Sequence, residues 1–401
     1  MHRTSLPSLG LIAGTLAAFV AVAWAVPAQA AGGWSAPVAL PISGSAVAAV
    51  NASGAAAVVA SGSSAVSVST SANGQTWSAP VTLGSGGEPA VALAPNGRTV
   101  AVWQGFSGVT STGVQASVLA PGGTWGAPVT VAPAGVNPQV AVDAAGDAVA
   151  LWTTSGSSAG SVQVAILRAG GTWSAPVTVG KGVTPNLAVN AAGSILAGWT
   201  AAPHEITAAA GSVTGGWSAP VTLGPATAYK QAGVHLALAA NGQGVALWTG
   251  GNGVQAATLS PGGTWTAPVI LASSLHTVAS GLAADGTGNA VALLSENVDI
   301  GSTITYTLET SRHSLGGGWT APASLAAGLP STSGKIVGTP AGSYVVTYAG
   351  NAATSAPGQG FGAPVSLAPS SSMQITAAAG HALAIWGVGS NPLTAATEPV
   401  T

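Results

Sequence analysis

Cysteine is absent from this chain of 401 residues, and charged residues make up only 4% of it. Without cysteine there can be no disulfide and no thiolate metal site. Seven Lys and Arg against nine Asp and Glu leave a formal net charge of −2, so we do not expect nucleic acid as a partner. With 47% hydrophobic residues the chain is not disordered either, because disorder goes with low hydrophobicity and high charge.

Long apolar runs are also missing after the first thirty residues, because Gly, Pro and Asn interrupt them. The exception is residues 9–26, which follow the basic start "MHR" and precede the small-residue motif "AQA" at residues 28–30. This order is typical of a signal peptide. We therefore expect residues 1–30 to be a signal peptide and residues 31–401 to be one exported, extracellular domain with no further membrane span. The length of the apolar run leaves an uncleaved anchor open as the alternative.

One phrase, "GGTWSAPVTV" at residues 170–179, recurs along the whole remaining chain. Its aromatic residue stands at Trp34, Trp77, Trp125, Trp173, Trp217, Trp265, Trp319 and Phe361. Between these positions recur two other phrases, of which "VAVDAAGDAVALW" and "VQVAILRAGGTW" are examples. Alternating Val and Leu with "AAG", "PNG" and "AGG" turns predicts four short strands per unit, which we label a, b, c and d in chain order. Four strands per unit at this spacing are typical of a β-propeller, an all-β fold.

The two chain ends complete each other in this pattern. Residues 33–40 are a d strand with nothing before it, whereas "MQITAAA", "HALAIWG" and "LTAATEPV" at the other end are an a, b and c strand without a d strand. We therefore predict eight four-stranded antiparallel blades, with the N-terminal strand closing the last one. Seven blades remain the alternative if the first unit, "AVAAVNASGAAAVVASG", which matches the repeat only weakly, packs irregularly.

The tryptophans admit two interpretations. Besides those of the recurring phrase, five end a predicted b strand, namely Trp103, Trp152, Trp199, Trp248 and Trp386. A ring of exposed aromatic side chains could stack on sugars. We instead predict that they pack between neighbouring blades, because Leu294 and Tyr348 replace Trp in the weaker units and packing tolerates such exchanges.

The stretch "STSANGQTWSAPVTL", residues 69–83, resembles the Asp-box turn S-x-D-x-G-x-T-W of the bacterial neuraminidase (sialidase-like) repeat family. Thr70, Gly74, Thr76 and Trp77 match, whereas Ala72 stands in place of the Asp. The chain also looks like uncharacterised secreted bacterial repeat proteins. The resemblance implies a β-propeller with this turn between strands c and d.

The same resemblance does not extend to sialidase activity. That family uses an arginine triad, a Tyr–Glu pair and an Asp, but only Arg98, Arg168 and Arg312 follow residue 31. All three are expected at a–b or c–d turns, on the face opposite the family's active site.

Unusual polar residues concentrate in the predicted b–c loops and d–a connections, which share one face and usually carry function in repeat proteins. The predicted ligand-binding residues all fall in the fourth to sixth units: His204, Glu205, Tyr229, Lys230, His235, His276, Glu296 and Asp299. No cofactor motif accompanies them.

Several functions remain open for this sector. His204, His235 and His276 could ligate a metal, although no tight H-x-H spacing supports it and we predict no metal site. Glu205 and Glu296 could act as acid and base of a glycoside hydrolase or lyase if their carboxyl groups lie ~5–9 Å apart. Otherwise these are solvated loop residues. We predict a non-catalytic, monomeric binding or scaffold module for a glycan or a protein, with the hydrolase or lyase and a purely structural surface protein as alternatives.

Overall fold

The computed structural model describes residues 33–63, 65–157, 160–227, 233–300, 303–332, 334–368, 373–387 and 392–400. The expected signal peptide, Tyr229 and Lys230 lie outside this part of the chain. The described residues form strands joined by turns and contain no α-helix, and therefore no helix that could span a membrane. An all-β fold is thus confirmed.

The first sixteen strands are β1 Val38–Ser43, β2 Ser45–Val50, β3 Ala56–Ser61, β4 Ala65–Ser71, β5 Val81–Leu93, β6 Thr99–Ser107, β7 Thr110–Leu119, β8 Val129–Ala132, β9 Val136–Val142, β10 Ala148–Thr153, β11 Ser161–Leu167, β12 Val177–Lys181, β13 Val183–Val189, β14 Ser194–Ala201, β15 Glu205–Ser212 and β16 Val221–Pro225. The remaining strands are β17 Val234–Leu238, β18 Gly244–Gly250, β19 Gly253–Leu259, β20 Val269–Ala272, β21 Thr277–Ala284, β22 Ala290–Ile300, β23 Thr303–His313, β24 Ala323–Leu329, β25 Lys335–Gly338, β26 Tyr344–Tyr348, β27 Asn351–Ser355, β28 Val365–Ser366, β29 Met373–Ala378, β30 Gly380–Trp386 and β31 Pro392–Val400.

These strands form repeated four-stranded antiparallel sets. Six sheets have four strands each, and a seventh of seven strands joins two sets through β5. Residues 81–85 of β5 pair with β4, whereas residues 86–93 pair with β6. We number the sets as units 1 to 8: β2–β4 with the first part of β5, the second part of β5 with β6–β8, β9–β12, β13–β16, β17–β20, β21–β24, β25–β28, and β29–β31 with β1.

The N-terminal strand lies in the last sheet, as predicted. Strand β1 pairs antiparallel with β31, with Val38 opposite Ala395. Before it, the backbone N–H of Ser35 donates to the Thr397 carbonyl at 2.7 Å, and Trp34 is 1% exposed. The two chain ends therefore share one hydrogen-bonded sheet, and the weak first unit beside it pairs in regular register from residue 45 to residue 61.

The inner strands of successive units contact each other around a closed circuit. Strand β2 contacts β5, and the contacts continue through β9, β13, β17, β21, β25 and β29 back to β2. Their C-terminal ends surround an opening of about 450 Å³, which Val50, Val142, Leu238 and Gly338 line on opposite sides. This radial arrangement of sheets about a central opening is a β-propeller.

The hydrophobic core is divided into clusters that lie between neighbouring units. Between units 2 and 3, for example, Val102 packs with Trp152 and with the half-buried Trp173. The b-strand residues Trp103, Trp152, Trp199 and Trp248 are at most 1% exposed. In each cluster of the described chain, the aromatic side chain of the recurring phrase packs against the preceding unit. The predicted packing role of the tryptophans is confirmed.

The recurring phrase is a turn more than a strand. Trp173 forms an isolated bridge with Leu167 at the end of the c strand, and the d strand β12 begins only at Val177, after the proline. The d strand predicted at residues 33–40 likewise begins only at Val38, so the prediction that it includes Trp34 was wrong. Proline cannot donate to a ladder, so regular pairing starts after it.

In the Asp-box-like turn, the side chain of Asn73, next to Ala72, binds backbone N–H groups of the turn. Its side-chain oxygen accepts hydrogen bonds from the backbone N–H groups of Gln75 and Thr76 at 2.9 and 3.0 Å. The turn lies between the c and d strands, β4 and β5, where the sequence predicts it.

Glycine is required where the b-strand tryptophan of a unit packs against the d–a connection that leads into that unit. A Cβ on Gly180 would lie 2.2 Å from Cζ2 of Trp199, and one on Gly182 would lie 2.6 Å from its Cδ1. Gly182 also has a φ of 152°, which side-chain-bearing residues rarely adopt. The short connection from β12 to β13 therefore covers the indole of Trp199 only because it carries no side chain there.

Candidate functional site

The two faces of the propeller carry different connections. The a–b and c–d turns emerge on one face, which we call the turn face, and the b–c loops and d–a connections on the other, which we call the loop face. The predicted site residues that the structure describes lie at the loop face. His204 and Glu205 lie at the b–c loop of unit 4, His276 precedes β21, and Glu296 lies in the long strand β22.

A cavity of about 570 Å³ opens on the loop face over units 4 to 6. It lies among the first residues of inner strands β13, β17 and β21, and this volume is within the range of small-molecule sites. The polar side chains that line it are Thr184, Asn186, His235, Thr249, Asn297, Tyr306 and Thr332. Of the predicted residues only His235 is among them.

Irregular backbone shapes the rim of this cavity. The pairing of β13 with β14 shifts register between Val183 and Asn186, and that of β21 with β22 shifts between Ala279 and Gly281. Such bulges redirect side chains and are frequent near sites. Thr184, a β-branched residue before a proline, has a φ of 50°, a strained value that clusters at functional sites.

Neighbouring units hold the polar side chains of the cavity in place. The Asn186 side-chain oxygen accepts the backbone N–H of Leu236 at 3.2 Å, and the Thr249 hydroxyl accepts that of Ala279 at 2.9 Å. Each bond links one unit to the next. Within the described residues the amide nitrogen of Asn186 makes no hydrogen bond, so its two N–H donors remain for a ligand.

Among the described residues one histidine, His235, lines the cavity, and its surroundings shift its pKa. Burial lowers the pKa of His235 below its ordinary value, the positive charge of Lys335 on β25 lowers it further, and a hydrogen bond with the Ala279 backbone opposes both. The imidazole is therefore neutral at pH 7. A neutral imidazole has one donor and one acceptor nitrogen, and Ala279 engages one side of the ring.

The three histidines considered for a metal do not form a ligand set. His235 lines the cavity, whereas His204 and His276 are exposed on separate connections of the loop face. No group of three or more His, Cys, Asp or Glu within the described chain is arranged to hold a metal ion.

The two carboxylates considered for catalysis lie two units apart. Glu205 begins β15 in unit 4, Glu296 lies on β22 in unit 6, and the whole of unit 5 separates these sheets. Asp299 is exposed near the end of β22.

Glu296 instead lies close to Glu309, a residue that the sequence reasoning missed. Burial raises the pKa of Glu309, and the negative charge of Glu296 raises it further. Glu309 faces Leu294 across the strand pair, where Gln115, Gln163 and Gln255 face a tryptophan in other units. This exchange of Gln for Glu within a repeat was the signal that could have revealed it.

The cavity residues Asn186, Thr249, Asn297 and Tyr306 were also missed. Asn186 and Thr249 lie in or beside regular repeat phrases and look like ordinary strand residues. Only the curvature of the ring brings them together with Tyr306 from a c strand.

No family model matches this chain, and no curated protein sequence matches it either. Among solved structures, the BP39L lectin from Burkholderia pseudomallei is similar with a TM-score of 0.53 and 14% identity, covering 82% of this chain and 100% of the lectin. This chain shares the fold of a lectin.

Two other solved structures are less similar. The polysaccharide lyase Uly1 gives a TM-score of 0.48 at 8% identity, covering 76% of this chain and 88% of the lyase. A six-bladed β-propeller lectin from Aleuria aurantia gives 0.39 at 15% identity, covering 73% and 98%. The likeness to the BP39L lectin, at 14% identity, extends to the fold alone.

Proposed function

We propose that this protein is a non-catalytic glycan-binding module whose ligand sits in the loop-face cavity over units 4 to 6. The observation that carries the proposal is the cavity itself, which combines fixed polar side chains with the aromatic ring of Tyr306. The fold shared with a protein described as a lectin supports the same class of ligand.

The cavity has the mixture of groups that a sugar needs. Sugar hydroxyls both donate and accept, so they fit amide, hydroxyl and neutral imidazole groups such as those of Asn186, Thr249 and His235. The ring of Tyr306 offers a flat apolar surface to the C–H groups of a pyranose. The described residues that line the cavity include no Lys, Arg, Asp or Glu, and His235 is neutral at pH 7, which favours an uncharged sugar there.

We further propose that the ring has eight blades and that the protein acts outside the cell. The four-strand units and the closed circuit of inner-strand contacts support the number. The sequence of residues 1–30 supports export.

A glycan array followed by calorimetric titration tests the proposed ligand class. We expect saturable binding of a neutral glycan, weakened at least about tenfold by Asn186→Ala or Tyr306→Ala, which corresponds to about 1.4 kcal/mol. Thr222→Ala, an exposed residue on the outer strand β16, is the matched control and should leave binding unchanged. Absence of binding across the array, or binding that both cavity variants retain, would overturn the proposal.

A hydrolase or lyase is the second candidate, because Glu296 lies diagonally across the strand pair from Glu309, and burial together with the negative charge of Glu296 raises the pKa of Glu309. Diagonal cross-strand neighbours lie ~7–8 Å apart, within the spacing that glycoside hydrolysis uses. Cleavage of polysaccharides that disappears in Glu296→Gln would favour this candidate. A wild-type protein that binds glycans but cleaves none of them would exclude it.

A further inference from the structure

Arg312 departs from the repeat at a position on the turn face between units 6 and 7. Its backbone carbonyl accepts the N–H of Thr320, and the same bond in other units is made by Val118, Ile166, Ala210 and Thr258. A guanidinium therefore stands where those units carry small or aliphatic side chains.

Two aromatic residues beside Arg312 depart from the repeat as well. Tyr344 begins β26, whereas Ala148, Gly244 and Ala290 occupy the matching first position of other b strands. Phe361 replaces the tryptophan of the recurring phrase. Three residues that depart from the repeat, Arg312, Tyr344 and Phe361, thus lie together at the contact between units 6 and 7.

The guanidinium group of Arg312 lies close to both aromatic rings. The Cζ atom of Arg312 lies 5.8 Å from the ring centre of Tyr344 and 5.4 Å from that of Phe361, within the range of a cation–π contact. One terminal nitrogen donates to the hydroxyl of Ser355 at 3.1 Å, and this hydroxyl donates to the Gln359 carbonyl at 2.7 Å.

Arg312 has no anionic partner in the described chain. The one ion pair there joins Arg168 to Asp147 in unit 3. Arg312 is half-buried, and burial lowers its pKa because the charge has lost water. A guanidinium has five N–H donors, and within the described residues Arg312 uses one of them, in the hydrogen bond to Ser355.

We propose that Arg312 binds the carboxylate of an acidic sugar, a uronate, at a second site on the turn face between units 6 and 7. A planar guanidinium pairs with a carboxylate through two parallel hydrogen bonds, and an uncompensated, half-buried cation favours an anion. The half-buried ring of Phe361 offers an apolar surface beside it for the sugar C–H groups. The sugar class rests on the proposed glycan-binding function, but the site is separate from the loop-face cavity.

Titration with methyl β-D-glucuronide, with methyl β-D-glucoside as the neutral control, tests this site in the whole protein by NMR of the arginine Nε–H signals. We expect the Arg312 signal to shift to saturation with the glucuronide and not with the glucoside. Arg312→Gln should abolish binding. Arg312→Lys should weaken it at least about tenfold, because a lysine cannot pair bidentately.

Arg168→Gln is the matched control, since Arg168 lies on the same face but is already paired with Asp147. It should bind the glucuronide like the wild type. Asn186→Ala should also retain glucuronide binding, even if it loses the neutral glycan, which separates this site from the loop-face cavity. If Arg312→Gln does not fold, the wild-type signal and Arg312→Lys still decide.

The proposal would be overturned by a wild-type Arg312 signal that does not move, by equal binding of the glucoside, or by unchanged binding in a folded Arg312→Gln protein. Binding of inorganic phosphate without binding of the glucuronide would also overturn it, because the anion would then not be a carboxylate.

Discussion

Units 2 to 5 and units 6 to 7 use the same four-stranded plan with different side chains. In units 2, 3 and 5 a buried tryptophan faces a glutamine, whereas unit 6 has Leu294 facing Glu309 and unit 7 has Tyr348 facing Asn351. The b and c strands of unit 6 have 11 residues each, against six and seven in unit 3. Residues that recur from unit to unit pack between neighbouring units. The residues that depart from the repeat bring charged and titratable groups together.

The largest expected effect tests the two kinds of tryptophan within one regular joint. Trp152→Ala should lower the free energy of unfolding by about 3–5 kcal/mol, because the side chain is fully buried between units 2 and 3. Trp173→Ala should cost less than Trp152→Ala, since that side chain is half-buried in the same cluster. Urea unfolding of both variants measures the difference. An equal loss of unfolding free energy in both variants would contradict the distinction between the fully buried b-strand tryptophans and the half-buried tryptophans of the recurring phrase.

A smaller effect tests unit 6 by making it resemble its neighbours. His313 faces Ala290 where Leu167 faces Ala148 and Leu259 faces Gly244. Its Nδ1 is buried without a partner in the described chain, whereas the ring also makes a hydrogen bond with the Gly288 backbone. Because the variant removes the unpaired nitrogen but also loses that bond, His313→Leu should raise the free energy of unfolding by less than about 1 kcal/mol at pH 7.

The same variant should also change the pH dependence of stability. Burial lowers the pKa of His313 in the folded protein, so the unfolded chain binds the proton more readily. Stability due to this group is present above the unfolded value of ~6.5 and is lost as pH falls through that value toward the lower folded pKa. Unfolding followed between pH 8 and pH 5, roughly the window of this titration, should show a shallower loss in His313→Leu. A slope identical to the wild type would exclude His313 as the source.

The smallest effect tests Glu309, which stands where other units carry glutamine. The pKa of Glu309 is raised in the folded protein, so between its unfolded and its folded pKa the native state holds a proton that the unfolded chain has already released. Stability therefore falls as the pH rises from the unfolded to the folded pKa of Glu309. Glu309→Gln should remove that dependence and change stability at pH 7 by less than about 1 kcal/mol, because the side chain is half-buried. Carboxyl NMR titration of both proteins measures it. A Glu309 signal with an ordinary pKa would contradict the coupling to Glu296.

Local spacing was enough to predict most of the fold. The recurring "GGTW" turns, the "AAG" and "PNG" hairpins and the unmatched phrase at residue 33 led to four-stranded sets and to β1 joining β31. These predictions succeeded because hairpin pairing joins residues that are close in sequence, and turn chemistry and alternation specify it.

The residues that line the loop-face cavity were predicted far less well. The loop face and its sector follow from the order of the strands, but His204, His276 and Asp299 are exposed while Asn186 and Tyr306 line the cavity. Rare residue types attract attention in a chain with so few charges. A cavity is instead formed by whichever side chains the closed ring brings together, common residues included.

By itself the sequence determined the repeating unit, its four strands, its turns and the joining of its two ends, because each depends on contacts within about fifty residues or on a matching phrase. Only the tertiary structure decided which side chains of different units meet. Asn186 beside Leu236 and Arg312 between Tyr344 and Phe361 depend on bulges, strand lengths and the closure of the ring. These distances arise from packing between sheets, which no single repeat contains.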